Sequence, residues 1–430
     1  MNYHTRIITD LAEIGPDRWD ALVRADAIAR ASPSSMLGAN GEANEDSRHA
    51  GARDLNPFLR YDFLAALHET GCADFDSGWA VEYLTLWTED DALAGAVPLY
   101  RKFHSYGEYV FDWAWADAYR RHGLDYYPKL LSAIPFTPVT GPRLVSPDRA
   151  TRHALARALF AHARASEVSS LHVLFPEGDD EVDALDAAGC VRRDGVQFHW
   201  TNTGFASFDA FVDSLERKRR KNIRAERRKV AQAGVRVRRI EGRDATDADW
   251  RFFMRCYVNT YRAHYSTPYL NLAFFRRIAK TMPENLLLII AELEDVDPAA
   301  DETSARPIAS SLVVFNDTTL YGRYWGEVEH LPCLHFECAY YQPLEFCIER
   351  GIRFFEGGAQ GEHKMARGFL PVKTRSMHWL AHPAFADAVE HFLARETLGV
   401  ANYVDELNER DPFKLNRAAA DRQSVERKPR

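Results

Sequence analysis

The chain has 430 residues, of which 46% are hydrophobic, and a formal net charge of -8. This length exceeds that of most single domains and predicts two domains of about 200 residues, each able to bury its own core. The acidic balance excludes a surface that is basic overall, so a site for nucleic acid or nucleotides would have to be local.

Neither secretion nor a membrane span is expected. The residues after Met1 lack the apolar core of a signal peptide, and no apolar run approaches the length of a membrane-spanning helix. The six cysteines are scattered, unlike those of short disulfide-bonded chains. We therefore expect a cytoplasmic protein with reduced cysteines.

In chain order, residues 1–55 are expected to form an N-terminal segment with a flexible insertion, because Ala31–Arg53 is rich in Ser, Ala, Gly, Asn and charge. Order is expected to begin at Asn56. Hydrophobic periodicity and turn residues then predict an N-terminal domain, residues 56–200. Its predicted elements are a helix at Phe58–Leu67, strands at Trp79–Trp87, Ala92–Tyr100 and Glu108–Trp115, a helix at Thr151–Ala165, a strand at Ser170–Phe175, a helix at Glu181–Ala188 and a strand at Val191–Trp200.

A C-terminal domain is predicted for residues 201–410, followed by a charged, disordered tail at 411–430. Its predicted elements are one long helix at Phe208–Ala233, a strand at Val235–Ile240, helices at Asp247–His264 and Leu272–Thr281, strands at Leu286–Glu292, Ile308–Phe315 and Leu320–Trp325, a helix at Phe336–Arg350, strands at Ile352–Glu356 and Ser376–His382, and a helix at Ala384–Asn408. Strands cluster before helices in both halves. This order favours an α/β (α+β) fold with mixed sheets flanked by helices over a doubly wound parallel sheet.

Long segments of the sequence resemble a bacterial FemAB-like family within the GNAT acyltransferase superfamily, associated with peptidoglycan biosynthesis or recognition. The resemblance covers roughly residues 56–410 and is carried by Tyr106–Tyr119, Gly123–Leu130, Phe136–Arg143, Arg217–Lys229 and Tyr321–Lys364. It implies tandem GNAT-like domains. It also implies transfer of an acyl or aminoacyl group from acyl-CoA or aminoacyl-tRNA, as co-substrate, to an amine acceptor such as a cell-wall precursor. The Arg/Gln-x-x-Gly-x-Gly/Ala loop of acetyltransferases is missing from the sequence, so the donor stays open.

A basic run, Arg217–Lys229, holds nine Lys and Arg residues in thirteen positions. On a helix, Arg220, Arg224 and Arg227 would share one stripe, which predicts contact with an anionic carrier such as tRNA, CoA or a nucleotide-linked precursor. The alternative is a solvated helix face on which nearby glutamates neutralise part of the charge.

The segment Leu320–Gly326 combines two glycines with three candidate substrate-binding residues, Arg323, Tyr324 and Trp325. Glycine within a strand permits close approach of a ligand. The alternative is a bulge in a sheet packed with aromatic side chains.

The next helix begins near His335, and its first turn could bind a thioester, phosphate or carboxylate. His335 and Glu337 are candidate bases, and Tyr340 is a candidate substrate-binding residue. The alternative is that His335 and Glu337 only cap this helix and interact with its dipole. The His and Cys residues at 330–338 have metal-like spacing, but Pro332 makes a zinc site geometrically awkward, so no metal is predicted.

By resemblance, Glu356 and Lys364 line the acceptor pocket, with Glu356 orienting or deprotonating the amine and Lys364 holding a carboxylate or phosphate. The loop between them supplies further candidate substrate-binding residues: Gly357, Gly358, Gln360 and His363. The alternative is a surface turn whose charges lie in water.

Two functions therefore compete. The first is an N-acyltransferase in which the amine attacks the donor directly; the second is a non-catalytic protein that recognises a peptidoglycan precursor or RNA. The aromatic region at residues 106–127 is either a ligand cleft or the seam between the two halves.

Overall fold

The structure is a computed structural model that describes residues 2–31, 55–296, 303–358 and 361–414. The elements of the first half are β1 (His4–Ile8), α1 (Pro16–Ala31), α2 (Tyr61–Glu69), β2 (Trp79–Val81), β3 (Tyr83–Trp87), β4 (Leu93–Val97), β5 (Leu99–Lys102), α3 (Trp113–Arg121), β6 (Lys129–Ser132), α4 (Arg149–Ala165), β7 (Ser170–Leu174), α5 (Asp179–Ala187) and β8 (Val191–Thr201).

The second half begins with α6 (Phe208–Ser214), α7 (Arg217–Gln232), β9 (Val235–Glu241), α8 (Asp247–Ala263), α9 (Leu272–Thr281), β10 (Leu286–Val296), β11 (Thr303–Phe315) and β12 (Thr319–Glu327). It continues with α10 (Leu334–Phe336), a π-helical turn (Glu337–Tyr341), α11 (Gln342–Arg350), β13 (Phe354–Glu356), a 3-10 segment (Glu362–Arg367), β14 (Leu370–Leu380) and α12 (Pro383–Asn408).

One mixed sheet runs through both halves. Within the described residues its eleven strands have the order β2-β5-β6-β7-β14-β8-β13-β12-β11-β10-β9, and a separate three-stranded sheet has the order β1-β3-β4. Two pairs in the large sheet are parallel, β6 with β7 and β12 with β13. The predicted mixed α/β class is confirmed.

β14 joins the two halves. It comes late in the chain, yet it pairs with β7 on one side and with β8 on the other. β8 in turn pairs with β13. The proposed domain boundary near residue 200 therefore falls within a continuous sheet, and it stays a prediction.

The core lies on both faces of this sheet. A first cluster packs α1, α2, α8 and α9 against one face and includes Tyr321 and Tyr324 of β12. A second cluster packs α6, α7 and α11 against the other face and includes Leu320 and Phe355. β12 and β13 are thus covered on both sides, which is why their sequences are rich in aromatic and aliphatic residues.

Several local predictions were wrong. The single strands expected at Trp79–Trp87 and Ala92–Tyr100 are each divided between the two sheets. Order begins well before Asn56, because β1 pairs with β3 and Trp19 of α1 is fully buried. The long helix expected at Phe208–Ala233 breaks into α6 and α7, since Leu215 turns into the core and bridges to Phe413. The strand expected at Glu108–Trp115 gives way to α3, which begins at Trp113. The insertion at Ala31–Arg53 lies almost entirely outside the described residues.

Candidate functional site

The short strand β13 ends beside the middle of β12. Their parallel pairing covers three residue pairs and ends at Tyr321–Glu356, whereas β12 continues to Glu327. At this point the register of β12 with β11 shifts, so that Gly322 and Tyr324 face consecutive residues and Arg323 is the extra residue of a bulge. Bulges redirect side chains next to functional sites.

Arg323 and Glu356 bind each other at the end of β13. The Arg323 NH2 group donates to Glu356 Oε2 at 3.0 Å, and Nε donates to Thr137 Oγ1 at 2.9 Å. Glu356 is only 7% exposed. Burial raises the pKa of the Glu356 carboxyl to about 7, although the Arg323 cation opposes the rise. The carboxyl therefore gains and loses its proton near neutral pH.

Lys364 lies beside the loop that follows β13. Its ammonium donates to the carbonyl oxygen of Gly358 at 3.1 Å, and burial lowers the pKa of Lys364 to about 8, with the Arg323 cation acting in the same direction. Gly358 has a φ of 86°, a backbone conformation that glycine adopts without strain. Gly357, which follows Glu356, leaves space for the Lys364 side chain, because a Cβ at this position would lie 3.3 Å from Lys364 Cδ. Lys364 therefore lies beside Gly357 and Gly358, the two residues that directly follow Glu356.

His199 joins this group, although sequence analysis did not single it out. It lies directly opposite Glu356 in the antiparallel pair of β8 and β13, and its side chain is half-buried. Burial lowers the pKa of His199 to about 4, and the Arg323 and Lys364 cations lower it further in the same sense. The alternation of polar Gln197, His199 and Thr201 with buried Phe198 and Trp200 was the available signal.

A second group of candidate residues lies on the other face of β12. His335 packs against Trp325 and Tyr340, with ring centroids 5.3 and 5.5 Å apart, and the Tyr340 hydroxyl is 3.2 Å from His363 Nε2. Burial lowers the pKa of His335 to about 4, with His363 as the next contributor. Tyr324 packs in the first core cluster instead. Gln360 lies outside the described residues.

Glu337 and Arg227 bind each other. Arg227 donates through Nε and NH2 to the two Glu337 oxygens at 3.1 and 3.0 Å, and through NH1 to Glu345 at 2.7 Å. Glu337 is buried, and both of its carboxylate oxygens accept hydrogen bonds from Arg227. These contacts dock α7 on the π-helical turn.

The remaining stripe residues have acidic neighbours of their own. Arg224 pairs with the Asp213 carboxylate at 2.7 Å, and Arg220 donates to the Asp213 carbonyl at 3.2 Å. A separate contact, Glu226 with Arg367 at 2.8 Å, links α7 to the segment that carries Lys364. The outer surface of α7 nevertheless carries exposed cations: Arg217, Lys218, Lys221, Arg228 and Lys229.

The two glycines of β12 make room for protein atoms. A Cβ on Gly326 would lie 1.9 Å from the carbonyl oxygen of Cys256 in α8, and one on Gly322 would lie 2.9 Å from the Phe355 ring. This packing, together with the bulge at Arg323, agrees with the alternative that we stated for this strand.

The aromatic region holds both a cleft and a seam. A cavity of about 310 Å³ lies between Ser105–Trp113 of the first half and Thr260–Tyr269 of the second. Its walls include the side chains of Tyr106, Tyr109, Phe111, Trp113, Tyr261 and Tyr269. Beneath it Lys129, fully buried, donates to Glu108 at 2.7 Å and also binds Asp112.

Two further properties concern only the described part of the chain. There, no three His, Cys, Asp or Glu side chains are arranged to hold a metal ion. None of the helices in the same ranges is both long and apolar enough to span a membrane.

Comparison with known proteins identifies the family. The sequence profile named FemAB-like, described as peptidoglycan biosynthesis/recognition, matches residues 11–415. The chain belongs to the FemAB-like family. No curated protein matches the chain.

Solved structures show the fold of this FemAB-like chain. The crystal structure of FemX is similar with a TM-score of 0.50 and 12% identity, over 90% of this chain and all of FemX. The structure of L-PGS from Bacillus licheniformis has a TM-score of 0.43 and 8% identity, over 71% of this chain and 88% of that chain. The likeness to FemX confirms the expected tandem GNAT-like fold.

Proposed function

We propose that this chain is an N-acyltransferase that moves an acyl or aminoacyl group from acyl-CoA or aminoacyl-tRNA to an amine, with a cell-wall precursor as the candidate acceptor. The proposal rests on the position and the pKa of the Glu356 carboxyl. Its buried carboxyl has a pKa raised to about 7 and lies at the last residue pair between the parallel strands β12 and β13. A base acts best when its pKa is near the working pH.

The reaction assigned to this site is a direct substitution at the acyl carbon. The amine nitrogen forms a C–N bond to that carbon, and the C–S bond of a thioester, or the C–O bond of an aminoacyl ester, breaks. The Glu356 carboxylate accepts the proton that the amine loses. The leaving thiolate or alkoxide takes up a proton and departs as a thiol or hydroxyl group.

We assign electrostatic roles to two cations. Lys364, which is buried beside the loop after Glu356, stabilises the negative charge that develops on the acyl oxygen. Arg323 holds the Glu356 carboxylate in place at 3.0 Å. Positioning of the two substrates supplies most of the remaining rate enhancement.

The surface of α7 supports a polyanionic donor. Its exposed cations stand out on a chain with a net charge of -8, and clustered Lys and Arg residues attract phosphates. This feature favours aminoacyl-tRNA over acyl-CoA, because CoA offers far fewer phosphates to such a surface.

The test uses the purified full chain and radiolabelled donors. Acetyl-CoA labelled in the acetyl group, and bulk tRNA charged with labelled amino acids, are each incubated with amine acceptors that include nucleotide-linked muropeptides. We expect acceptor-dependent transfer of label from one donor, and a loss of at least about 100-fold in Glu356→Gln. Absence of transfer from both donors, with binding of the acceptor retained, would favour the non-catalytic recognition protein.

A further inference from the structure

We propose that His199 is a further catalytic residue of this site, whose Nδ1 atom accepts a hydrogen bond from the attacking amine beside Glu356. The inference rests on the proposed acyl transfer. It assigns to the imidazole the task of orienting the amine, while the carboxylate takes the proton.

The position of His199 supports this role. Residues directly opposite in an antiparallel pair have Cβ atoms about 4.5–5.5 Å apart on one face of the sheet, and His199 is opposite Glu356 in this way. Its ring is half-buried, whereas Glu356 is 7% exposed. A substrate bound to the Glu356 carboxyl on the side of β8 would therefore contact the His199 imidazole.

The neighbouring amide fixes the tautomer of His199. The Gln197 Nε2 group lies 2.8 Å from the carbonyl oxygen of Pro138, an atom that can only accept, so Nε2 is the donor there. The other end of the amide, Oε1, lies 3.1 Å from His199 Nε2. Because Oε1 can only accept, His199 Nε2 must carry the hydrogen.

The lone pair of the ring therefore lies on Nδ1. In the described part of the chain, the structure gives Nδ1 no hydrogen-bond partner. With its pKa lowered to about 4, the ring stays neutral at pH 7 and keeps this lone pair available to an amine N–H. His199 and Glu356 thus differ in pKa and divide the work of orienting and deprotonating the nucleophile.

The first test determines the tautomer of His199 and does not require an activity assay. Nitrogen-15 NMR of histidine-labelled protein, assigned with His199→Gln, should show His199 with its hydrogen on Nε2 and a ring that stays neutral down to pH 5. Replacement of Gln197 by Glu should raise the His199 pKa by at least about one unit, because a carboxylate then faces the ring. A hydrogen on Nδ1 in the wild-type protein overturns the proposal.

The second test compares two variants, in which His199 is replaced by Asn or by Gln, in transfer assays. His199→Asn places a carbonyl oxygen near the position of Nδ1, whereas His199→Gln extends its amide towards Nε2. We expect kcat to fall about tenfold or more in His199→Gln and to recover in part in His199→Asn, with KM for the donor unchanged. Wild-type kcat in His199→Gln overturns this inference alone. Absence of transfer by the wild-type protein overturns the proposed function and the inference together.

Discussion

Arg323 and Glu356 form a buried ion pair of 3.0 Å at the point where β13 ends. An arginine at this distance lowers the pKa of a carboxyl, but burial of Glu356 has the larger effect and leaves the pKa at about 7. The pair therefore keeps a carboxyl in place while allowing it to exchange a proton at neutral pH.

The pH dependence of transfer should be bell-shaped. kcat/KM rises as Glu356 loses its proton, near pH 7, and falls as Lys364 loses its proton, near pH 8. Lys364→Arg keeps a cation that does not titrate in this range, so the fall above pH 8 should disappear. Rates measured from pH 5.5 to 9.5 with both proteins check this. The ionisation of the acceptor is common to both, so an identical fall in the variant would exclude Lys364.

Glu356 should also make stability depend on pH. Its folded pKa lies above the ordinary value of 4.5, so its contribution is fully present below pH 4.5 and is lost as the pH rises through about 7. A shift of this size corresponds to about 3 kcal/mol. We expect the unfolding free energy of the wild-type protein to fall by roughly this amount relative to Glu356→Gln between pH 4.5 and pH 8.

Urea unfolding at each pH measures the difference. The control is Glu390→Gln, which removes a carboxylate from the exposed face of α12. A constant difference between wild type and Glu356→Gln across this pH range would show that Glu356 is not desolvated.

Gly326 should be intolerant of a side chain. Alanine would place its Cβ 1.9 Å from the Cys256 carbonyl oxygen, a backbone atom that cannot move without shifting α8. Overpacking of this kind typically costs about 1–3 kcal/mol, and we expect the upper end of that range. Gly399→Ala in α12 is the matched control, because its Cβ would meet open space and should stabilise the helix by up to about 1 kcal/mol. Equal unfolding free energies for the two variants would contradict the packing described here.

The exposed cations of α7 should determine tRNA affinity. We expect weaker binding, and a slope of log affinity against log salt that is smaller by up to about 3, when four exposed residues change to Gln: Lys218, Lys221, Arg228 and Lys229. Filter binding of bulk tRNA at salt concentrations between about 50 and 300 mM measures the slope.

A charge-matched variant controls for the change in net charge. It replaces four exposed cations on other elements by Gln: Arg157, Lys280, Lys373 and Arg395. Loss of tRNA binding to the same extent in both variants would show that net charge, and not the surface of α7, attracts the RNA.

Much of the fold could be predicted from local patterns. The alternation and periodicity of apolar residues located most strands and helices, and the glycines after Glu356 marked the loop that leads to Lys364. The break between α6 and α7 could not be predicted in this way, because Leu215 is turned by contacts with Phe413, nearly two hundred positions away. Tertiary contacts of this kind override helix propensity.

Sequence analysis could not predict which residues the site residues contact. Nothing local to β14 indicates that it pairs with β7 and β8 of the first half. The pairing of Arg227 with Glu337 and the facing of His199 with Glu356 likewise depend on strand order and helix docking. The sequence showed a cluster of Lys and Arg residues at α7. It could not show that Arg227 binds two glutamates while other cations of α7 face outward, because these contacts depend on how α7 packs.

The most direct test of the account is a single-turnover measurement of transfer by wild type and Glu356→Gln at pH 8, with labelled donor and excess amine. Glutamine retains the size of the side chain and an oxygen for Arg323 but cannot accept a proton. We predict that the rate of label transfer falls by about 100-fold or more while the dissociation constant of the donor changes less than about threefold. Transfer by Glu356→Gln at the wild-type rate would contradict the assignment of Glu356 as the base.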